Sequence, residues 1–430
     1  MSAVTVTGSN NNSNSNSKTT QRSGNFGSFK NTKSLTEGLT AKGTFGEEFK
    51  VPDYTIKQLL DSIPQECYER KLSTSFYYVF RDIFLILSIG LIFNYLIPLY
   101  TPSNYLIRSI SWTLYSALLS LPFTGIWVLA HECGHQAFSS IGWINDTVGW
   151  ILHSFLMVPY FSWKYSHGKH HKSTGNLSKD MVFVPKTKNE FKISRNLSLS
   201  QKLDELTEDT PINTLISLLI QQFGGWWAYL ATNVTGQKYI EYENKSKFLV
   251  SHFNPNSPIF EKRDYWFVIL SDIGLLIQSI LIYQFYLKFG LFSMFINWFL
   301  PYVFCNHWLV FITYLQHTDP NLPHYESHEW NFARGAAATI DREFGFIGWF
   351  FFHDIIETHV LHHYCSRLPF YNARLATENI KKVMGDHYKH SDENMWVSLW
   401  QSSRACQFVD GDNGVLMYRN INGLGLKPTN

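Results

Sequence analysis

Apolar and polar positions fall into long blocks along this chain rather than into a fine alternation. Four blocks, residues 83–100, 110–129, 266–286 and 292–311, are long and apolar enough to cross a bilayer as helices. Residues 101–104 (Thr-Pro-Ser-Asn) join the first two and residues 287–291 the last two, so each pair predicts a helical hairpin. Two shorter apolar blocks, 148–161 and 215–230, contain Gly and Trp and read as interfacial or re-entrant segments, with a third hairpin as the alternative. Residues 1–45 are rich in Ser, Asn, Thr, Gly and Lys and lack apolar periodicity, which predicts a disordered tail ahead of one membrane domain over 46–430. No apolar core follows Met1, so this tail does not read as a signal peptide.

Charge orients the hairpins. Of the 36 Lys and Arg residues, ten lie in residues 1–82, fourteen in 163–265 and ten after 312, leaving only Arg108 and Lys288 within the hairpins or their turns. The positive-inside bias then puts the N-terminus, the central segment and the C-terminus on the cytosolic side. The sequons at Asn145, Asn176, Asn196, Asn233 and Asn244 would face the cytosol and stay unused. Composition agrees with a membrane enzyme that has sizeable polar parts: 16% of residues are charged, 17% are aromatic, and the mean hydropathy is −0.13. A net charge of +2 gives no support for nucleic-acid binding. Five scattered cysteines without a CxxC exclude a disulfide framework and a zinc ribbon. Cys133 lies among abundant imidazoles, and a thiolate ligand is not expected there.

Histidine carries the chemistry. Eight residues form three clusters beside apolar blocks: His131-Glu-Cys-Gly-His135, His167-Gly-Lys-His170-His171 and His359-Val-Leu-His362-His363. Spacings of three and four bring side chains to one face of a helix, so each cluster can aim two or three rings at a common point. All three clusters emerge on the same membrane face in the two-hairpin topology. Eight imidazoles exceed the need of one tetrahedral zinc and predict two metals. Imidazole suits Fe, Zn or Cu, and iron is favoured because an apolar substrate beside a membrane offers no polar handle for hydrolysis. A zinc hydrolase built on the HExxH pattern, with Glu132 as base, would leave the two HxxHH clusters unexplained. A metal transporter would need several ionisable groups inside the spans, and these carry only Asp272 and His307.

The segments HECGHQAFS, FSWKYSHGKHHKSTGNL and THVLHH resemble the three histidine boxes of membrane fatty-acid desaturases. The likeness extends over most of residues 50–425, through TYLQHTDPNLPHY, WNFARGAAATIDREFG and LPFYNA, and is closest to the methyl-end branch of fungi and plants. It implies an all-α endoplasmic-reticulum membrane protein with four spans in two hairpins and a cytosolic cap. That cap would hold a non-haem di-iron centre that uses O₂ and two electrons to remove two hydrogens from an acyl chain. The eight box histidines would be the ligands, and His317, just after the last span, is the candidate ninth. Acyl-CoA relatives have Asn where Thr313 stands, so that water-bridging Asn is not carried over. Front-end desaturases open the third box with Gln and carry a fused haem domain with His-Pro-Gly-Gly. Here His359 opens it and no such motif occurs, which implies a separate electron donor, cytochrome b5 with its reductase. The implied substrate is a fatty acyl phospholipid, with Δ12 desaturation of oleoyl to linoleoyl chains first and ω3 (Δ15) desaturation of linoleoyl chains second. An acyl hydroxylase on the same scaffold is a remoter alternative.

No catalytic group is expected beyond the metal ligands. Asp180, Asp354 and Glu357 are candidates to orient ligand imidazoles as hydrogen-bond acceptors, and His353 is a candidate to support them. The remaining histidines are expected to be non-ligands. Trp163, Trp226 and Trp227 read as a membrane-interface belt, with an acyl tunnel lining as the alternative. Lys427 alone does not make a dilysine retrieval signal.

Overall fold

The four long apolar blocks become helix, and the helices extend beyond the blocks into polar sequence. The computed structural model describes residues 39–195, 211–421 and 424–426. The greater part of the predicted N-terminal tail, residues 1–38, lies outside the described residues, as do Asn196 and Lys427.

Helix α1 (Leu72–Tyr100) and helix α2 (Tyr105–Gly134) are joined at Asn104, whose side chain caps α2 by accepting from the Ile107 amide at 3.1 Å. Helix α2 is the axis of the molecule: 78% of its apolar window is buried, against 6% for α1. Helices α3 (Gly142–Phe155) and α4 (Tyr160–His171) follow. The 148–161 block is therefore not one element, because the chain turns at Met157, where φ is +53°. The 215–230 block sits inside helix α5 (Pro211–Thr232).

The last apolar run, Lys262–His317, is 56 residues of near-continuous helix. It comprises α6 (Tyr265–Met294), a π-turn at Phe295–Phe299 and α7 (Leu300–His317). Gly290, at φ +82° and ψ +166°, breaks it within the predicted 287–291 connection; only glycine takes that conformation readily. That break kinks the run, and Phe285 before it and Asn297 after it line one cleft with Asn94 of α1. Among the described residues, three helical runs are thus long and apolar enough to cross a membrane.

Several expectations need correcting. The fold is mostly but not wholly helical. Thr40–Lys42 pairs antiparallel with Glu48–Lys50, so residues 40–42 of the expected tail are a strand. A three-stranded sheet orders His324–Tyr325, Val415–Arg419 and Phe408–Asp410, and its fully buried central strand pins the C-terminal region beneath the loop that follows α7. Asp341–Arg342 pairs in parallel with His390–Ser391. Helix α1 starts eleven residues before its apolar block and buries Asp82, an acid the block boundaries excluded. Three of the sequons, Asn145, Asn176 and Asn233, are buried, so packing alone keeps a glycan from them.

Candidate metal centre

Helix geometry sorts the histidines. His131 sits in the last turn of α2 and His135 caps its end one turn later. His167 and His171 lie one turn apart on α4, while His170, at i+3, is rotated about 60° to one side of His167 and about 100° from His171. The short helix α8 (His359–Tyr364) repeats this arrangement, with His359 and His363 together and His362 turned away. Each HxxHH box therefore serves two directions. His131, His135, His167, His171 and His362 converge, with candidate ligand atoms all within 4.8 Å of one another. His170, His317 and His363 form a second such group, and His359 joins it through a 3.0 Å approach of its Nε2 to that of His317. The boxes do not each aim at one point, as their spacing had suggested; the middle histidine of each HxxHH crosses to the other group.

The donor set fits two metal ions. Nε2 of His167 lies 3.1 Å from Nε2 of both His131 and His171, and Nε2 of His170 lies 3.3 Å from that of His317. Imidazoles bound at ~2.1 Å to one ion stand ~3.0–3.4 Å apart, so these are the separations of neighbouring ligands. The remaining inner nitrogens, Nε2 of His135, His362 and His363, are buried without a partner. Each such atom costs about 1–3 kcal/mol unless something binds it. Burial first, and the neighbouring imidazoles second, hold His135, His167, His171, His359 and His363 far below the usual histidine value, and burial takes His362 down to about 3. The rings are thus neutral, the form in which imidazole ligates.

Surrounding groups fix some rings. His170 Nδ1 donates to Asp180 Oδ1 at 2.5 Å, which turns its Nε2 lone pair inward. Asp180 is itself held by the amides of Gly175 and Val182. The Thr174 hydroxyl donates to the His170 carbonyl and accepts from His363 Nδ1 at 3.1 Å, which sets the tautomer of His363. The buried Asp341 carboxylate accepts from the Val360 amide at 2.7 Å and so holds the start of α8. Thr174 and Asp341 were not foreseen; the only trace of them in the sequence is their place within the box-like segments. The other candidates do not reach a ligand ring. His353 Nε2 donates to Asp82 at 2.7 Å, joining the loop before the third box to α1. Asp354 pairs with Arg374 at 2.7 Å, and Glu357 accepts from the Phe344 amide at 3.2 Å. Cys133 belongs to neither group among the described residues.

A narrow apolar cavity ends on His131, His167, His170, His317 and His359. Its walls come from α2 (Val128), α5 (Gly225, Trp226), α7 (Leu309, Ile312) and the Val182–Phe183 loop. Trp163 stacks on His167 with ring centres 4.3 Å apart, and Trp226 is buried in the wall, so both tryptophans line this cavity rather than a membrane belt. Trp227 is more exposed and donates to the Tyr302 hydroxyl. The arrangement can hold two redox-capable ions against the side of an apolar chain.

Comparison with known proteins agrees with this chemistry. The fatty acid desaturase family model matches residues 110–393. An oleate hydroxylase of Claviceps purpurea is 46% identical over 406 residues, covering 90% of this chain and 85% of that protein. A Δ12 fatty acid desaturase of Mortierella isabellina is 42% identical over 387 residues, covering 88% and 94%. A Δ12 fatty-acid desaturase of Arabidopsis thaliana is 40% identical over 376 residues, covering 86% and 92%.

Proposed function

Because the chain belongs to the fatty acid desaturase family, we propose that it desaturates an acyl chain of a membrane lipid at the Δ12 position, converting oleoyl to linoleoyl chains. The observation that carries this reading is the pair of converging, largely buried histidine groups at the end of an apolar cavity. His131, His135, His167, His171 and His362 would hold one iron, and His170, His317, His359 and His363 the other. Bound there, the irons would supply the O₂-dependent redox chemistry that removes two hydrogens from unactivated carbons, with two further electrons completing reduction of O₂ to water.

The chain's own residues do the rest. The apolar walls exclude water and hold methylenes beside the rings, with few polar groups to select a headgroup. Asp180 and Thr174 keep His170 and His363 in the ligating tautomer. The proposed setting is the endoplasmic-reticulum membrane, with four spans in two hairpins, a break at Gly290, and both termini and the histidine cap in the cytosol. Cytochrome b5 and its reductase would bring the electrons.

A second reading, 12-hydroxylation of oleoyl chains, is favoured by the relative that is an oleate hydroxylase. Expression in a host that makes oleate but no linoleate separates the readings. Appearance of Δ9,12-18:2 is expected. A 12-hydroxy-18:1 would select hydroxylation, 18:3 formed only on linoleate feeding would select the ω3 alternative, and no new fatty acid would overturn the proposal.

A further inference from the structure

Two indoles stand in the wall of the apolar cavity close to the histidine rings. Trp127 stacks on His131 with ring centres 5.6 Å apart, and Trp226 meets Trp127 edge to face at 6.5 Å. Both side chains are only 6% exposed, and neither indole Nε1–H has a hydrogen-bond partner among the described residues. A buried indole N–H ordinarily finds an acceptor, because an unpaired one has given up its hydration for nothing. Four other polar groups of the same wall have found theirs. The Thr124, Thr313 and Tyr229 hydroxyls donate to the carbonyls of Ser120, Leu309 and Met181, and the Gln316 amide donates to that of Ile355. The two indole hydrogens stand apart from these.

An acyl chain that fills the cavity brings methylenes, which accept no hydrogen bond. An existing double bond is the exception, since π electrons accept weakly from N–H donors. In an oleoyl chain the C9=C10 bond ends two bonds before C12, the nearer of the two carbons to be oxidised. With C12 held against the histidine rings, the alkene lies within a few bonds of them. Trp127 and Trp226 form the wall at that distance.

We propose that the indole N–H groups of Trp127 and Trp226 recognise the existing cis double bond of the substrate by donating to its π face. The contact would fix the register in which C12 and C13 meet the histidine groups, which makes these two tryptophans specificity-determining residues. The proposal rests on the Δ12 reading above. It deepens that reading by naming how an apolar wall tells a monounsaturated chain from a saturated chain of the same length. The bend of a cis bond contributes through shape, and the N–H donors add a chemical preference that shape alone does not supply.

The test offers full-length, metal-free protein in detergent an equimolar mixture of 1-palmitoyl-2-oleoyl- and 1-palmitoyl-2-stearoyl-phosphatidylcholine. Lipid retained after washing is identified by mass spectrometry. The unmodified protein is expected to retain more of the oleoyl lipid. Trp127→Phe and Trp226→Phe should each lower the oleoyl-to-stearoyl ratio about two- to fivefold. Trp227→Phe should leave the ratio alone, because that N–H donates to Tyr302 and neither residue lines the cavity. Phe is smaller than Trp, so replacing either indole by β-(3-benzothienyl)alanine, which puts sulfur where the N–H stands, separates the donor from the shape. The same fall is expected with this isostere, which also serves where a Phe variant fails to fold. A ratio that holds with the isostere, or an even ratio in the unmodified protein, would overturn the proposal and leave the N–H groups to a trapped water. No turnover is read here. Such a result with 18:2 still formed in the expression test above removes this inference alone, whereas absence of 18:2 there removes the Δ12 reading.

Discussion

The five-histidine and four-histidine groups draw on the same boxes, yet they are held in different ways. In the four-histidine group, His170 leans on the Asp180 carboxylate and His363 on the Thr174 hydroxyl, so two of four rings are oriented before any ion arrives. In the five-histidine group, Nδ1 of His171 has no hydrogen bond. That of His131 lies within ion-pair distance of Glu132 at 3.3 Å but is not aligned to bond it. Helix packing and stacked tryptophans position these rings instead: Trp163 on His167 and Trp127 on His131. One group has two of its rings pre-set by polar contacts, though Nδ1 of His359 is as unpartnered as that of His171, and the other relies on apolar packing and on the ion itself.

Five substitutions test that contrast, from the largest effect to the smallest. Replacing His362 with Ala removes a five-group ligand, and His359→Ala a four-group ligand. Each is expected to abolish the new double bond and to lower bound iron from two to about one per chain, measured by elemental analysis of purified protein. Loss of both ions from either variant would mean that the groups are not separable. Asp180→Ala frees His170 and is expected to cost about 10–100-fold in metal affinity or turnover, read by chelator competition. The four-histidine ion should leave first; equal loss from both groups would remove the distinction between them. Thr174→Val deletes one hydroxyl contact worth about 1 kcal/mol, so a roughly fivefold weaker second ion is expected in the same assay. Asp354→Ala breaks only a half-exposed ion pair with Arg374, and neither iron content nor activity should change measurably.

Much of this was legible in the chain, and the reasons for success and failure are physical. Apolar helical blocks are local properties of composition, so the four blocks could be read directly as helix, and the break at Gly290 falls inside the expected 287–291 connection. The eight box histidines and His317 do come together: i/i+3/i+4 spacing sets which rings share a face within a box, and the packing of α2, α4, α7 and α8 brings those faces to one place. Their division into five and four was not read. It follows from the angle between neighbouring positions in HxxHH and from how α4 and α8 face each other, and the second of these is tertiary. The supports failed for the same reason. Asp180 lies ten residues from His170 in a turn that brings it back, whereas His353 looks equally close to the third box but points to Asp82 on α1. Thr174 and Asp341 carry no distinguishing pattern, since a single hydroxyl or carboxylate becomes a support only through its fold neighbours.

The central claim is that nine histidines make two metal positions rather than one. Metal content of the full-length protein, purified from iron-replete cells and normalised to polypeptide, tests it most directly. The account predicts close to two iron atoms per chain with negligible zinc. A value of one per chain, or zinc in place of iron, would contradict it.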